Sequence, residues 1–555
     1  MTGPIEPPAS GTLPPGRPDI QPDSQSATAS GSVTGRGPHS VEGPGPTPGP
    51  TPGPARLRAA EPAGAPRQAL AIASECAPLV KTGGLADVVG ALPAALRGQG
   101  WALRSLLPGY RNVMAALENP QLLTELPDLL GVPARILGVE QGGLELLILD
   151  APALYDRPGG PYLDEQGRDW PDNDLRFAAL CLAGAAVAGG ALPGWRPELV
   201  HLHDWQAGLT PVYLRQLGLD VPTVLSIHNM AFHGLTARDR MPILGLPAAG
   251  YAMDGFEYWG HVSALKAGIT GATALTTVSP SYARELLEPE FGMGLEGVIR
   301  TRADDLSGIL NGIDTGLWDP ATDPEILAFD TPAGKAANTR RLRSEFGLEH
   351  SGGPLAAVVS RLSDQKGLDL LLQALPGYVA RGGQLVLLGS GERRLENAWL
   401  AAAARHPGQV AVRIGYDEGM SHRIYAGADA VLVPSRFEPC GLTQLYALRY
   451  GAVPVVARTG GLADTVNHAN EAALAVGAAT GIVHAPNDAG ALARALDDLC
   501  SLHADRAAFA RLQRNAMRHP VGWEASAPRY AALYARVLSA ATRPGSADTR
   551  TAGTA

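Results

Sequence analysis

Residues 355–368 read LAAVVSRLSDQKGL, from Leu355 to Leu368. The opening five residues are aliphatic without a polar interruption, which is how a strand buried on both faces reads. The loop that follows carries two cations, Arg361 and Lys366. The strand motif recurs downstream at Leu385 to Leu388, Val410 to Ile414, Ala430 to Val433 and Val453 to Val456, and upstream at Ala69 to Ala73, Ala102 to Leu107, Leu144 to Leu149, Val224 to Ile227 and Ala274 to Val278. Ala-rich helical stretches such as Ala86 to Leu96 and Arg176 to Ala188 separate many of these runs. Strands alternating with helices predict βαβ units and parallel sheets. Two such series predict an α/β chain of two Rossmann-like domains facing across a cleft, with the switch near Asn311 to Asp319. In open α/β sheets ligands bind beyond the carboxyl ends of the strands, so the loops after each apolar run are where chemistry is expected.

Arg361 and Lys366 lie in such a loop, where they could clamp a leaving diphosphate; the alternative is a solvated, salt-bridged loop. The strand Ala430 to Val433 runs into Pro434-Ser435-Arg436-Phe437-Glu438-Pro439-Cys440-Gly441-Leu442-Thr443-Gln444. A helix is expected to begin near Gly441, offering free N–H groups and the Thr443 hydroxyl to a phosphate. Glu438, just outside it, can hold sugar hydroxyls, and Gly460-Gly461 makes a second glycine turn on the same edge. In the first half, Ser74-Glu75-Cys76-Ala77-Pro78 leads to Lys81-Thr82-Gly83-Gly84-Leu85 and a helix. Two glycines, a point charge and a helix start suit a diphosphate, although a plain strand–helix turn reads the same way. The lysine precedes the glycines, so this is not a P-loop.

The whole chain sets bounds. Its 555 residues suit two domains plus tails, and a formal net charge of -9 gives no long-range attraction to nucleic acid or an anionic membrane. The four cysteines are scattered, without metal-ligand spacing, which reads as a reduced, cytoplasmic protein. The N-terminus has no apolar signal region, and runs such as Leu180 to Ala191 are too short to span a bilayer. Residues 1–66 are rich in Pro, Gly, Ser and Thr and read as a disordered tail, as do residues 542–555. The only lysines are Lys81, Lys266, Lys335 and Lys366 in an arginine-rich chain, so each invites a role arginine cannot fill.

Together, Lys81-Thr82-Gly83-Gly84-Leu85, His203-Asp204-Trp205, His228-Asn229 with Gly234, Asn311-Gly312-Ile313-Asp314, Ser360 to Gly367 and Glu438 to Gln444 occur in the order found in one family. The chain from about Gln68 to about Leu538 resembles bacterial glycogen synthases and the catalytic region of plant starch synthases. The resemblance implies a GT-B-type glycosyltransferase, with a starch-synthase-type domain over 67–314, a second Rossmann-like domain over 315–522 and a helix over 523–541 crossing back to the first. It implies retaining transfer of glucose from ADP-glucose to an α-1,4-glucan such as glycogen. Catalytic roles fall on Glu438, His228, Arg361 and Lys366. Contacts to ADP-glucose fall on Lys81, Gly83, Gly84, Asp87, Asp204, Asn229, Asn311, Cys440, Gly441, Leu442 and Thr443, with Tyr416 stacking on the adenine. Many retaining relatives carry a glutamate eight residues beyond the first acid; Tyr446 stands there, as expected of this branch.

No metal or cofactor is expected, because Arg361, Lys366, Lys81 and helix N-termini can take a metal's place beside a leaving phosphate. The expected mechanism is a same-face, ion-pair-like displacement in which the leaving phosphate helps deprotonate the acceptor hydroxyl. Asp172-Asn173-Asp174 imitates a metal-chelating D-x-D motif, but it lies between Trp170-Pro171 and a helix, away from any strand end, and reads as a decoy. Nearby Tyr155 and Tyr162 are expected on the acceptor side. Rival readings are a transferase using UDP-glucose or a small acceptor, and a catalytically silent glucan-binding protein.

Overall fold

A computed structural model describes residues 65–541, so the two expected tails fall outside the described residues except at 65 and 66. Every apolar run read above as a strand falls on one, to within a residue at its end. The first lobe holds a nine-stranded sheet. From one edge it runs Leu306–Gly308, Ala274–Thr277, Thr223–Ile227, Leu199–His203, Arg67–Ile72, Trp101–Pro108 and Leu144–Asp150, all parallel, and ends in Val132–Gln141 and Gln121–Leu129, paired antiparallel. The second lobe holds a six-stranded, wholly parallel sheet: Val410–Ile414, Gln384–Gly389, Leu355–Val359, Ala430–Val433, Val453–Ala457 and Ile482–His484.

Side-chain alternation divides each sheet between two cores. In the first strand Leu70 and Ile72 face one apolar cluster, while Ala69 and Ala71 face another with Val88, Leu92 and Leu96 of the helix Gly84–Arg97. That second face is completed by the terminal helix Ala527–Ala541, whose Tyr530, Leu533, Tyr534 and Val537 pack on it. The Trp101 and Tyr534 rings meet edge to face at 4.9 Å. The helix had been expected from Trp523; Trp523–Ala525 is instead a separate 3₁₀ turn. In the second lobe Ala356, Val358, Leu385 and Leu387 face one core, and Leu355, Ala357, Val386 and Leu388 the other.

The lobes meet through two short helices, Pro280–Glu285 of the first and Gly460–Thr465 of the second. The Ser281 N–H and hydroxyl both donate to the Asp464 carboxylate at 2.7 Å, and the Gly460 N–H donates to Glu285 Oε1 at 2.8 Å. The Ser279 hydroxyl donates to the Pro439 carbonyl at 2.6 Å. These bonds hold the strand-end loops of the two sheets against each other.

Candidate active site

The loop after Leu355–Val359 is shaped by Gly367, whose φ of +62° is in the left-handed region and whose missing Cβ would lie 2.1 Å from the Pro434 carbonyl oxygen. That contact lays the cationic loop on the acidic one. Lys366 Nζ is 2.6 Å from Glu438 Oε2, which also accepts from the Ser435 hydroxyl at 2.9 Å. Arg436 makes a bidentate pair with Asp369 at 2.8 Å, pinning the two loops a second time. Arg361 is exposed, with no ion-pair partner among the described residues, so its charge is free for an anion. Glu438 is only 7% exposed, and its backbone lies under Gly460: a Cβ there would lie 2.0 Å from the Glu438 carbonyl oxygen.

The helix expected near Gly441 spans Thr443–Arg449, and Gly441 has φ +73°. The glycine therefore makes the turn into the helix instead of belonging to it. The Gln444 amide donates to the Cys440 and Gly441 carbonyls at 2.9 and 2.8 Å and fixes that turn. Cys440 is buried in the first lobe's apolar cluster, and burial pushes its thiol up to about 12. It fills space across the lobe boundary and is not a reactive thiol.

Across the cleft, the buried Glu75 organises the glycine loop. Its carboxylate accepts from the Thr82 N–H, from the Thr82 hydroxyl at 2.6 Å, from the Gly83 N–H at 3.3 Å and from the Tyr162 hydroxyl. Sequence reading passed over Glu75, because a lone acid after a strand carries no pattern; only the fold returns Thr82, Gly83 and Tyr162 to it. The helix Gly84–Arg97 starts at the second glycine, and a Cβ on Gly84 would lie 3.4 Å from Leu442 Cδ1 of the second lobe. The glycine loop thus reaches the acidic loop's glycine turn. Lys81 Nζ is 2.8 Å from Asp87 Oδ1. Burial raises the Asp87 carboxyl pKa, partly offset by Lys81, and Glu418 of the second lobe lies near enough to act on it. Tyr416 is 67% exposed and donates to Glu418 Oε2 at 3.0 Å, leaving its ring free to meet a flat ligand.

Between these groups lie the ends of Leu199–His203 and Thr223–Ile227. Asp204 follows the first with φ +56°, and its Oδ1 accepts the N–H groups of His228 at 2.6 Å and Asn229 at 3.4 Å. Burial lifts the Asp204 carboxyl to about 7, against the pull of those two bonds. The half-buried His228 ring is held at 3.0 Å by His203, and burial lowers its pKa to about 4, so it is neutral at working pH. Asn311 is buried, and its Oδ1 has no partner among the described residues.

Two expectations change. Tyr155 is core: it is 1% exposed and its hydroxyl donates to the Arg176 carbonyl at 2.6 Å. Tyr162 is spent on Glu75 and on Ser74, 2.7 Å away, and so supports the glycine loop instead of facing an acceptor. Asp172 and Asp174 are occupied structurally: Asp172 pairs with Arg157 and Asp174 with Arg240, both at 2.8 Å. The lysines also divide. Lys335 Nζ caps the carbonyls of Tyr425, Ala426 and Tyr450, and Lys266 Nζ those of Met253 and Glu257, so these two are structural. Lys81 and Lys366 stand at the cleft.

The arrangement gathers fixed cations, a helix N-terminus and a hydrogen-bonded carboxylate at one cleft, which suits departure of an anionic group from a polyhydroxylated one. Two family models match the chain: "Starch synthase catalytic domain" over residues 68–301 and "Glycosyl transferases group 1" over 341–516. The chain is 59% identical over 466 residues to a glycogen synthase of Paracoccus denitrificans, covering 84% of this chain and 98% of that protein. It is 54% identical over 474 residues to one of Rhizobium leguminosarum bv. trifolii, covering 85% and 99%. The catalytic domain of starch synthase IV from Arabidopsis thaliana, solved with ADP and acarbose, superposes with a TM-score of 0.76 at 30% identity, covering 86% of this chain and all of that one. A sucrose-phosphate synthase from Thermosynechococcus elongatus, at 18% identity and a TM-score of 0.55, shares the fold.

Proposed function

The chain belongs to the glycogen synthase family of GT-B-fold hexosyltransferases, and from that premise we propose that it moves the glucosyl group of ADP-glucose, with retention, to the non-reducing end of an α-1,4-glucan. The carrying observation is that Glu438 with Lys366 on one lobe and the Gly84 helix start on the other share one cleft. Arg361, Lys366 and Lys81 take up the charge growing on the departing diphosphate. Glu438 holds glucose hydroxyls, and the neutral His228 lies beside the sugar. Tyr416 stacks on the adenine, while Gly83, Gly84, Asp87, Asn229, Asn311, Cys440, Gly441, Leu442 and Thr443 shape the nucleotide-sugar pocket. Because fixed charges stabilise the ion pair, the leaving phosphate oxygen can take the acceptor's proton on the same face. The domains divide at residues 314 and 522, and the enzyme works in the cytoplasm.

The test incubates purified protein with glycogen and labelled ADP-glucose or UDP-glucose. Label entering precipitable polymer from ADP-glucose, with far less from UDP-glucose, is the expected result. Incorporation only from UDP-glucose, or only into small products, overturns the reading.

A further inference from the structure

Three histidine rings cluster along neighbouring strands, His201 and His203 within Leu199–His203 and His228 just after Thr223–Ile227. The His201 and His203 rings are tilted against each other with centroids 4.2 Å apart, and His203 and His228 are stacked at 5.2 Å. His201 is satisfied at both ring nitrogens, by Ser226 Oγ and Tyr534 Oη, each at 2.7 Å. His203 is not: its Nδ1 lies 3.0 Å from His228 Nε2, and its buried Nε2 has no partner among the described residues.

Burial holds the His203 and His228 rings neutral, so a single proton lies between them and two arrangements exist. If His228 donates, His203 must carry its own proton on Nε2, and a buried N–H is stranded. If His203 donates from Nδ1, only a lone pair is stranded at Nε2. Stranded buried N–H groups are the rarer of the two defects. We propose that His203 is a positioning residue that donates Nδ1–H to His228 Nε2 and so fixes His228 as the tautomer bearing its proton on Nδ1. His228 then offers the half-open site a hydrogen-bond donor suited to a sugar oxygen, and it has no free lone pair with which to act as a base.

The assignment is read directly from ¹⁵N spectra of histidine-labelled full-length protein, with the His228 signals assigned from the spectrum of His228→Gln. The expected result is a protonated, pyrrole-type Nδ1 and an unprotonated, pyridine-type Nε2 on His228; the reverse pattern overturns the proposal. The kinetic arm alone rests on the glucosyl-transfer reading. An asparagine amide overlays imidazole Nδ1 and a glutamine amide overlays Nε2. His203→Asn should therefore keep most of kcat/KM, while His203→Gln and His203→Leu lose about tenfold, the scale of one hydrogen bond. Equal loss in all three folded variants, or loss in none, overturns the proposal. If the variants fail to fold, the spectrum of the unmutated protein still decides. Absence of transferase activity in the unmutated protein would sink the functional reading and leave the tautomer measurement standing.

Discussion

Arg361 and Glu438, both proposed to act on the substrate, differ in what they contribute to the fold. Arg361 is exposed and has no ion-pair partner among the described residues, so Arg361→Ala should leave the melting temperature unchanged and lower kcat by about a hundredfold, as loss of one preorganised charge does. Glu438 is buried and pairs with the half-buried Lys366. Glu438→Ala should also abolish transfer, but with a measurable drop in melting temperature, because the lysine loses its counter-ion. Full turnover in the Glu438→Ala variant excludes its proposed role. Asp204 gives a pH signature. Burial lifts its carboxyl to about 7 in the folded state, from about 4 in an unfolded chain. Between these values the folded state holds a proton that the unfolded state has lost, so this group's contribution to stability falls as pH rises from about 4 to 7. Asparagine can accept the same two backbone N–H bonds without titrating. The stability of Asp204→Asn relative to the parent should therefore improve with pH across that window, measured by denaturant unfolding. A pH-independent difference contradicts this assignment. The motif residues around the cleft were readable because glycine, lysine and acid recur at strand ends. Tyr155 was misread because its neighbours in sequence are loop-like while its side chain turns inward under Arg176.

Among the elements, the two short helices that join the lobes act as a clasp. Ser281 and Glu285 bind Asp464 and the Gly460 N–H, while Gly460 underlies Glu438. Loosening one side should favour the open lobes. Ser281→Ala combined with Glu285→Ala should raise the KM for the nucleotide-sugar several-fold, with little change in thermal stability, checked by steady-state kinetics and small-angle scattering; unchanged KM and dimensions would oppose it. The apolar runs announced most of both sheets because strands covered on both faces have uniform chemistry. Leu199–His203 escaped because two of its five residues are histidines, although all five are buried. The edge hairpin Gln121–Leu129 and Val132–Gln141 escaped because it is partly exposed, and charged residues interrupt its pattern. The late start of the helix at Thr443 reflects Gly441's left-handed turn, which composition alone does not distinguish from a helix start.

In the whole molecule the terminal helix is part of the first lobe's core, although the entire second lobe separates them in sequence. Residues 67–314 expressed alone should therefore expose an apolar sheet face and aggregate. Co-expression with a fragment carrying residues 315–541 should restore a soluble complex with transferase activity, whereas a second fragment ending at 522 should not. A soluble, cooperatively melting first fragment would refute this. Hydrophobic periodicity reveals that a terminal helix exists but not which sheet it covers; that depends on Tyr530 and Tyr534 meeting Trp101 and the His201 ring.

That returning helix also sets an order of manufacture. A ribosome completes the strands of the first lobe long before it makes residues 527–541, so the part of the protein translated earliest is finished last. During that interval the newborn chain carries an uncovered greasy sheet, making it a natural client for chaperones, and a premature stop near the end of the message would disable the beginning of the protein.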